Sequence, residues 1–399
     1  MKRSNTILAA AFLVLLFGMS WYTLKDYKNI YTTILDAWQK SNPEQTDLLT
    51  KAAFAADRAE GALNTALDRD HYFIELYGAV QKYTGQRFVE DNYSYSVIRM
   101  DNGALTFGSV GQEYVDVSHN AAATVDFAAA LGERGIPFTA VITPYKTPRD
   151  REVVPAALRN YHNEQADQFL AFLAQEGVHT VDLRDGMGDD LTNYFYHTDH
   201  HWNADGAFLG NRLMTAALAE KYGFLPFEQG LQEGQFARQT YEALFLGSQG
   251  KRVGTKFAGV DDFVVYSPEF PTELTYQVSD AAVPRTGTLN TALYFQEYLA
   301  PDYYNGNPYV TFAGGDLAKA TAINHLNPDG PTVVMIRDSF GCAITPFFAL
   351  QCGKLVTIDL RAFGERDLME EIAGIDPDFV VLLYNPGTVS SDAMFAFMK

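Results

Sequence analysis

"PTVVMIRDSFG", residues 331 to 341, decides how the chain folds. It starts as a short apolar run rich in β-branched side chains, which is how a strand buried on both faces reads. The turn "RDSFG" follows, and then the helix-like "CAITPFFALQC" (342–352). Strand, tight turn and helix repeat beyond it. "KLVTIDL" (354–360) reads as a strand, "RDLMEEIAG" (366–374) as a helix and "DFVVLLY" (378–384) as a strand. The same rhythm holds upstream. "HNAAATVDFAAALGERG" (119–135), "NEQADQFLAFLAQEG" (163–177) and "NADGAFLGNRLMTAALAEKYG" (203–223) read as helices. "IPFTAVITP" (136–144) and "VHTVDLRD" (178–185) read as strands. Alternation of this kind predicts an α/β fold: a mostly parallel sheet of about five core strands with helices on both faces. Asn203 is the expected cap of the third of these helices.

Two regions break the rhythm. "YSYSVIRMDNGALTFGS" (93–109) reads as two short strands around an Asp-Asn-Gly turn. Residues 225–330, rich in Gly, Tyr, Phe and Pro, read as an irregular insertion with short strands. The N-terminus carries Lys2 and Arg3, then an uncharged, mainly apolar run from Thr6 to Leu24 with Trp21 and Tyr22 at its far end. A signal anchor spanning residues 1–25 is the expected reading, with a helical stalk over 26–75 and one domain over 76–399. That arrangement puts the domain outside the cytoplasm, attached to a membrane through the N-terminal helix.

The 399 residues carry a formal net charge of −19, with 47% hydrophobic and 20% charged residues. This is a globular composition, and it argues against nucleic acid as a partner, which needs a dense basic surface. Aromatic residues make up 14%, which is read first as core packing, with platforms for sugar rings as the alternative. Cys342 and Cys352 flank one helical segment and are expected to be free, buried thiols.

In an open α/β sheet, ligands bind beyond the carboxyl ends of the strands. Ser339 sits there, at a strand-to-helix turn where backbone N–H groups can face an oxyanion. Tyr145 and Lys146 follow another strand end, and Asn385 a third. A serine needs a base, and the base needs a group to hold its tautomer. "YFYHTDHHWNADGAFLG" (194–210) supplies both, since Asp199 and His201 lie two apart just before a helix. An aspartate there can hold the imidazole Nδ1 and leave Nε2 for Ser339. His197 and His200 read as packing or hydrogen-bonding neighbours, and Trp202 as an anchor beneath the loop.

Asp199-x-His201-Trp202, followed much later by strand–Asp338-Ser339–helix, resembles the alginate O-acetyltransferase group of SGNH-hydrolase-like proteins. The run Asp199-His200-His201-Trp202 is similar to relatives named for their DHHW motif. "TPYKTPRD" (143–150) resembles the group's Pro-x-Lys segment. The resemblance covers roughly residues 90 to 399. It implies an SGNH-like fold and an extracytoplasmic enzyme that moves acetyl groups onto a polysaccharide acceptor. It also implies a membrane-bound O-acyltransferase as partner and acetyl supplier, and no cofactor. Carried over by position, Ser339 is the nucleophile, His201 the base and Asp199 its orienter. Asn385, Lys146, Tyr145, Arg337 and His200 are candidates for substrate or oxyanion contacts. This chain departs from the hydrolase pattern in having Arg337 before Asp338-Ser339, and it lacks a Gly-x-Asn-Asp block.

Other readings stay open on residues alone. An acetyl esterase would use the same three side chains. A metal-dependent phosphoesterase could use Asp199-His200-His201 with Asp185, Asp189 or Asp190 as further ligands. A glycan-binding scaffold would keep the fold without turnover. Lys146 and Arg149 fit a solvated loop or a substrate contact equally well. "GSQGKRVGTKFAGVDDF" (247–263) reads as a surface loop with two cationic clusters.

Overall fold

The computed structural model describes residues 2–40, scattered positions between 53 and 63, 71–90, 96–149, and 153–397 apart from 155, 159, 189, 280 and 365. Two compact units emerge, Met1–Val80 and Gln81–Lys399. The first contains the helices Lys2–Leu24, of 23 residues, and Tyr27–Lys40. Of the expected stalk, residues 41–52, 64–70 and a few positions between lie outside the described residues. Among the described residues no helix is long and apolar enough to cross a membrane.

The second unit begins with β1 (Phe88–Val89), β2 (Ser96–Arg99) and β3 (Leu105–Gly108), which form an antiparallel three-stranded sheet. Gly103, with φ of 86°, makes the expected turn between β2 and β3, where a side chain would be strained. The main sheet draws on β4 (Phe138–Ile142) and β5 (His179–Asp182). A separate antiparallel pair, β6 (Phe236–Phe245) and β7 (Asp261–Pro268), comes next. The main sheet then takes β8 (Leu274–Val278), β9 (Arg285–Gly287), β10 (Lys319–Asn324), β11 (Thr332–Arg337), β12 (Lys354–Ile358) and β13 (Phe379–Tyr384). Its order is β5-β4-β13-β11-β12-β10-β8-β9.

The five strands from β5 to β12 are parallel, as the sequence predicts, and β10, β8 and β9 join antiparallel. The sheet is therefore mixed. The region read as an irregular insertion is built into it, because Ala320 and Ala322 on β10 and Leu274 and Tyr276 on β8 bury themselves in the same core.

Side chains alternate strictly along the central strands. Val333 and Met335 of β11 face one core, with Val381 and Leu383 of β13; Val334 and Ile336 face the other, with Val380 and Leu382. The first core is covered by the helices Ala204–Tyr222 and Phe340–Phe348, and the second by Ser118–Gly132 and His162–Gln175. The helix after β11 thus lies on one face, while Leu368–Ile375, after β12, packs on the other. Neighbouring strands that send their helices to opposite faces open a crevice at their carboxyl ends. Ser339 sits at that crevice.

Both cysteines are free and buried, as expected. Asn203 caps its helix by accepting from the Gly206 N–H at 3.0 Å. Trp202 is fully buried, and its indole donates to the Phe340 carbonyl at 3.0 Å. The ring fits only because residue 210 is glycine: a Cβ there would lie 2.6 Å from the indole. Trp202 therefore ties the loop before one helix to the start of another. Trp202→Ala should lower the unfolding free energy by about 3–5 kcal/mol, read from urea denaturation. A loss under about 1 kcal/mol would show that the ring is no anchor.

Candidate active site

Ser339 precedes the helix Phe340–Phe348 and has helical backbone angles, φ −63° and ψ −21°. It is placed from two sides. Asp338 is buried; its Oδ1 accepts from the Phe340 N–H (2.9 Å) and caps the helix start. Its Oδ2 accepts from the Asn385 N–H (2.7 Å), the Asn385 side-chain amide (2.7 Å) and the Thr388 hydroxyl (2.8 Å). The turn after β11 is thereby locked to the turn after β13. The Ser339 N–H itself finds no acceptor among the described residues.

Arg337 points away from this edge. Its guanidinium is buried and donates to Asp316 (3.1 Å), Asp359 (3.4 Å) and the Gly315 carbonyl (2.7 Å). Gly341 makes room for it, since a Cβ there would lie 2.6 Å from the Arg337 Cβ. Arg337 thus pins the 315–316 segment and Asp359, just past the end of β12, to the turn that carries Ser339. Beside it, burial pushes the Cys342 thiol up to about 12, which leaves it unreactive.

His201 Nε2 lies 2.7 Å from Ser339 Oγ, and its Nδ1 lies 2.6 Å from Asp199 Oδ1. A buried carboxylate only accepts, so Nδ1 carries the ring proton and Nε2 presents its lone pair to the serine hydroxyl. Asp199 Oδ1 also accepts from the His201 N–H (3.0 Å), and Oδ2 from the Ser248 N–H (2.6 Å). Burial alone would raise the Asp199 carboxyl. His200, His201 and the Ser248 N–H together outweigh it and hold the carboxyl well below the usual carboxylate range. Residues 138 positions apart in sequence are joined here in one chain of hydrogen bonds.

The loop that presents Asp199 and His201 is braced from below. Lys146 is buried, and its ammonium donates to the carbonyls of Asp199 (2.7 Å) and His197 (2.9 Å) and to Gln249 Oε1 (3.3 Å). Burial pulls its pKa down to about 7, although three oxygen acceptors fit the charged form. Asp261 accepts from the N–H groups of His197 (2.7 Å) and Thr198 (2.8 Å) and from the Thr198 hydroxyl (2.6 Å).

Of the other candidates, His200 stands beside His201, with ring centroids 3.8 Å apart and Nδ1 3.0 Å from Ser248 Oγ. Asn385 lies at Asp338, where its amide protons are engaged by Asp338 and Thr388, so oxyanion contact would require those bonds to open. Tyr145 packs edge-on against His162. Along with Arg149 and Asp185 it lines a separate cavity of about 300 Å³ at the β4–β5 edge, where those last two form an ion pair. Lys146 is thus a buried strut, and Arg149 is an ion-paired cavity residue.

Ligand atoms of Asp199, His200 and His201 lie within 4.8 Å of one another, close enough to hold a metal ion. Both His201 nitrogens already face Asp199 and Ser339, so an ion would have to replace one of those bonds. Asp185 is paired with Arg149, and Asp189 lies outside the described residues.

Sequence reasoning missed the contributions of the region after residue 225. The segment read as a surface loop forms the short helix Ser248–Val253 and packs on the Asp199 loop. The Gly250 N–H donates to the Thr198 carbonyl at 2.8 Å. Tyr309 lays its ring on the His201 imidazole, centroids 4.0 Å apart and 14° from parallel. The one available signal was the density of glycine in 247–259, which permits close backbone approach.

At Gly247 an added Cβ would lie 2.2 Å from the Asp199 Cβ and 2.6 Å from its Cα. Gly247→Ala should destabilise the protein by about 1–3 kcal/mol in urea unfolding. Gly234→Ala, whose Cβ meets nothing, should change it by less than about 0.5 kcal/mol. Equal effects would refute the close approach. Asp199 predicts a pH dependence. Its folded pKa lies below the unfolded 3.8, so its stabilisation is complete above about pH 5 and is lost as pH falls below 3.8. The Tm gap between wild type and Asp199→Asn should narrow in acid; a gap that widens below pH 4 would contradict the ionised, hydrogen-bonded carboxylate.

Comparison with known proteins gives the same fold. The family model described as "SGNH hydrolase-like domain, acetyltransferase AlgX" matches residues 110–314, about half of the chain. That stretch includes Asp199 and His201 and stops before Ser339. No curated protein matches the sequence. Among solved structures, Bacillus cereus PatB1 superimposes with a TM-score of 0.63 at 21% identity, over 76% of this chain and 100% of that one. A DHHW family protein from Eubacterium siraeum superimposes with a TM-score of 0.58 at 19% identity, over 77% and 96%. At such identities the likeness is one of fold. On the family match, the chain belongs to the SGNH-hydrolase-like acetyltransferase domains of the AlgX type.

Proposed function

We propose that this protein is an extracytoplasmic O-acetyltransferase acting on an exopolysaccharide or cell-wall glycan through Ser339, His201 and Asp199. One observation carries the reading: a single imidazole lies 2.6 Å from a buried carboxylate and 2.7 Å from a serine hydroxyl. In the first step Ser339 Oγ attacks the acyl carbonyl while His201 Nε2 takes its proton. The tetrahedral oxyanion is met by the Ser339 N–H at the helix start. As it collapses, the leaving oxygen takes the proton from the imidazolium, and the acetyl group stays on Oγ as an ester. In the second step a sugar hydroxyl gives its proton to His201 and attacks the ester. Ser339 Oγ then leaves and takes that proton back. Asp199 holds the tautomer and stabilises the imidazolium throughout.

Hydrolysis is the second reading, because Ser339 is partly exposed and water can take the place of the sugar. The same proposal includes a membrane-bound O-acyltransferase as acetyl supplier and attachment through the N-terminal segment. Support for attachment comes from the uncharged run Thr6–Leu24 and from exposed Ile7, Phe12, Val14 and Phe17 on its helix.

Wild type incubated with p-nitrophenyl acetate should release p-nitrophenol and carry an acetyl adduct on Ser339 in mass spectra. Ser339→Ala should lose turnover by at least about 10³-fold and carry no adduct. Transfer rather than hydrolysis is shown by acetylated glycan appearing in proportion to p-nitrophenol. Absence of turnover and adduct in folded wild type would reject the enzymatic reading in favour of a binding scaffold.

A further inference from the structure

We infer that Tyr309 is a positioning residue that holds the base and the nucleophile in one geometry. The inference rests on the catalytic reading of Ser339 and His201. Tyr309, which lies outside the hydrogen-bonded three, contacts both members of the pair. Its ring is stacked on the His201 imidazole at 4.0 Å, and its hydroxyl donates to the Ser339 carbonyl at 3.1 Å. Asp199 fixes only one edge of the imidazole, and a hydrogen bond at Nδ1 still allows the ring to tilt about that edge. Tilting would swing Nε2 off the serine hydroxyl. A parallel aromatic face resists the tilt, because any rotation separates the rings or drives them together. The tyrosine hydroxyl ties the same rigid ring to the nucleophile backbone, so the Nε2–Oγ spacing is referenced to one side chain.

Tyr309 is itself held firmly. It is buried in the turn Pro308–Thr311 and packs edge-on against Phe312 and Tyr196. The approach to that turn is pinned where Lys251 donates to the Gly306 carbonyl at 2.7 Å and the Tyr303 hydroxyl donates to the Ala243 carbonyl at 2.8 Å. The residues after it are pinned where the Ala313 N–H donates to the Leu293 carbonyl at 2.9 Å. A clamp needs this kind of support, since a mobile ring could not restrain its neighbour.

The test uses the full chain with p-nitrophenyl acetate and with phenylmethanesulfonyl fluoride, which reports on the serine without a substrate-binding step. Tyr309→Leu removes ring and hydroxyl; Tyr309→Phe keeps the ring; Tyr309→Met supplies a non-aromatic side chain of similar reach should Leu fail to fold. For the folded Leu or Met variant, kcat and the sulfonylation rate should fall together by roughly tenfold with KM unchanged. Tyr309→Phe should recover most of that loss. A purely structural role would lower Tm and leave both rates intact at temperatures where the variant is folded. Wild-type kcat in a folded non-aromatic variant, or a change confined to KM, would overturn the clamp while leaving the catalytic reading standing. A wild type that neither turns over nor is sulfonylated on Ser339 would sink both.

Discussion

A buried carboxylate sets the terms for this structure. Asp199 has almost no access to water, and an ionised group there is costly unless every lone pair is met. Three donors meet it: the His201 N–H, the His201 ring and the Ser248 N–H. Two of these come from its own turn and one from a segment 49 residues away. The carboxylate can therefore remain charged only when the loop, the imidazole and the Ser248 helix are assembled together. Assembly of the site and satisfaction of this charge are one event.

The same logic explains why the region after residue 225 is part of the architecture. It adds three antiparallel strands to the parallel sheet and donates the Ser248 N–H, the Gly247 approach and the Tyr309 ring. It also brings Asp261, which accepts three hydrogen bonds from the loop, and Asp316, which meets Arg337. Arg337 and Lys146 share a design. Each is a buried cation whose partners are mostly backbone carbonyls and carboxylates on segments that must hold still around Ser339. The chain is strongly acidic, yet two of its cations are used inside as struts.

The core was legible in the sequence. Parallel strands buried on both faces read as continuous apolar runs, and β4, β11, β12 and β13 are such runs. The helix start at Asn203 was visible in its capping residue. The spacing of Asp199 and His201 before a helix was visible too, because a turn that precedes a cap constrains side chains locally. Less legible were β8, β9 and β10, short strands whose pairing depends on the exposed edge that β12 offers. The helix at Ser248 was hidden among glycines that signal a loop when read alone.

By itself, then, the sequence determined what is local: which segments are strands or helices, which faces are apolar, and which residue types could move a proton. Tertiary structure alone decided which of them meet. It turned Arg337 and Asn385 from candidates for substrate or oxyanion contact into members of the supporting network, and it brought a tyrosine from position 309 onto a histidine from 201. The reason is physical. Periodicity and capping act over a few residues, whereas a hydrogen bond between groups far apart in the chain exists only once the sheet has fixed where each strand ends.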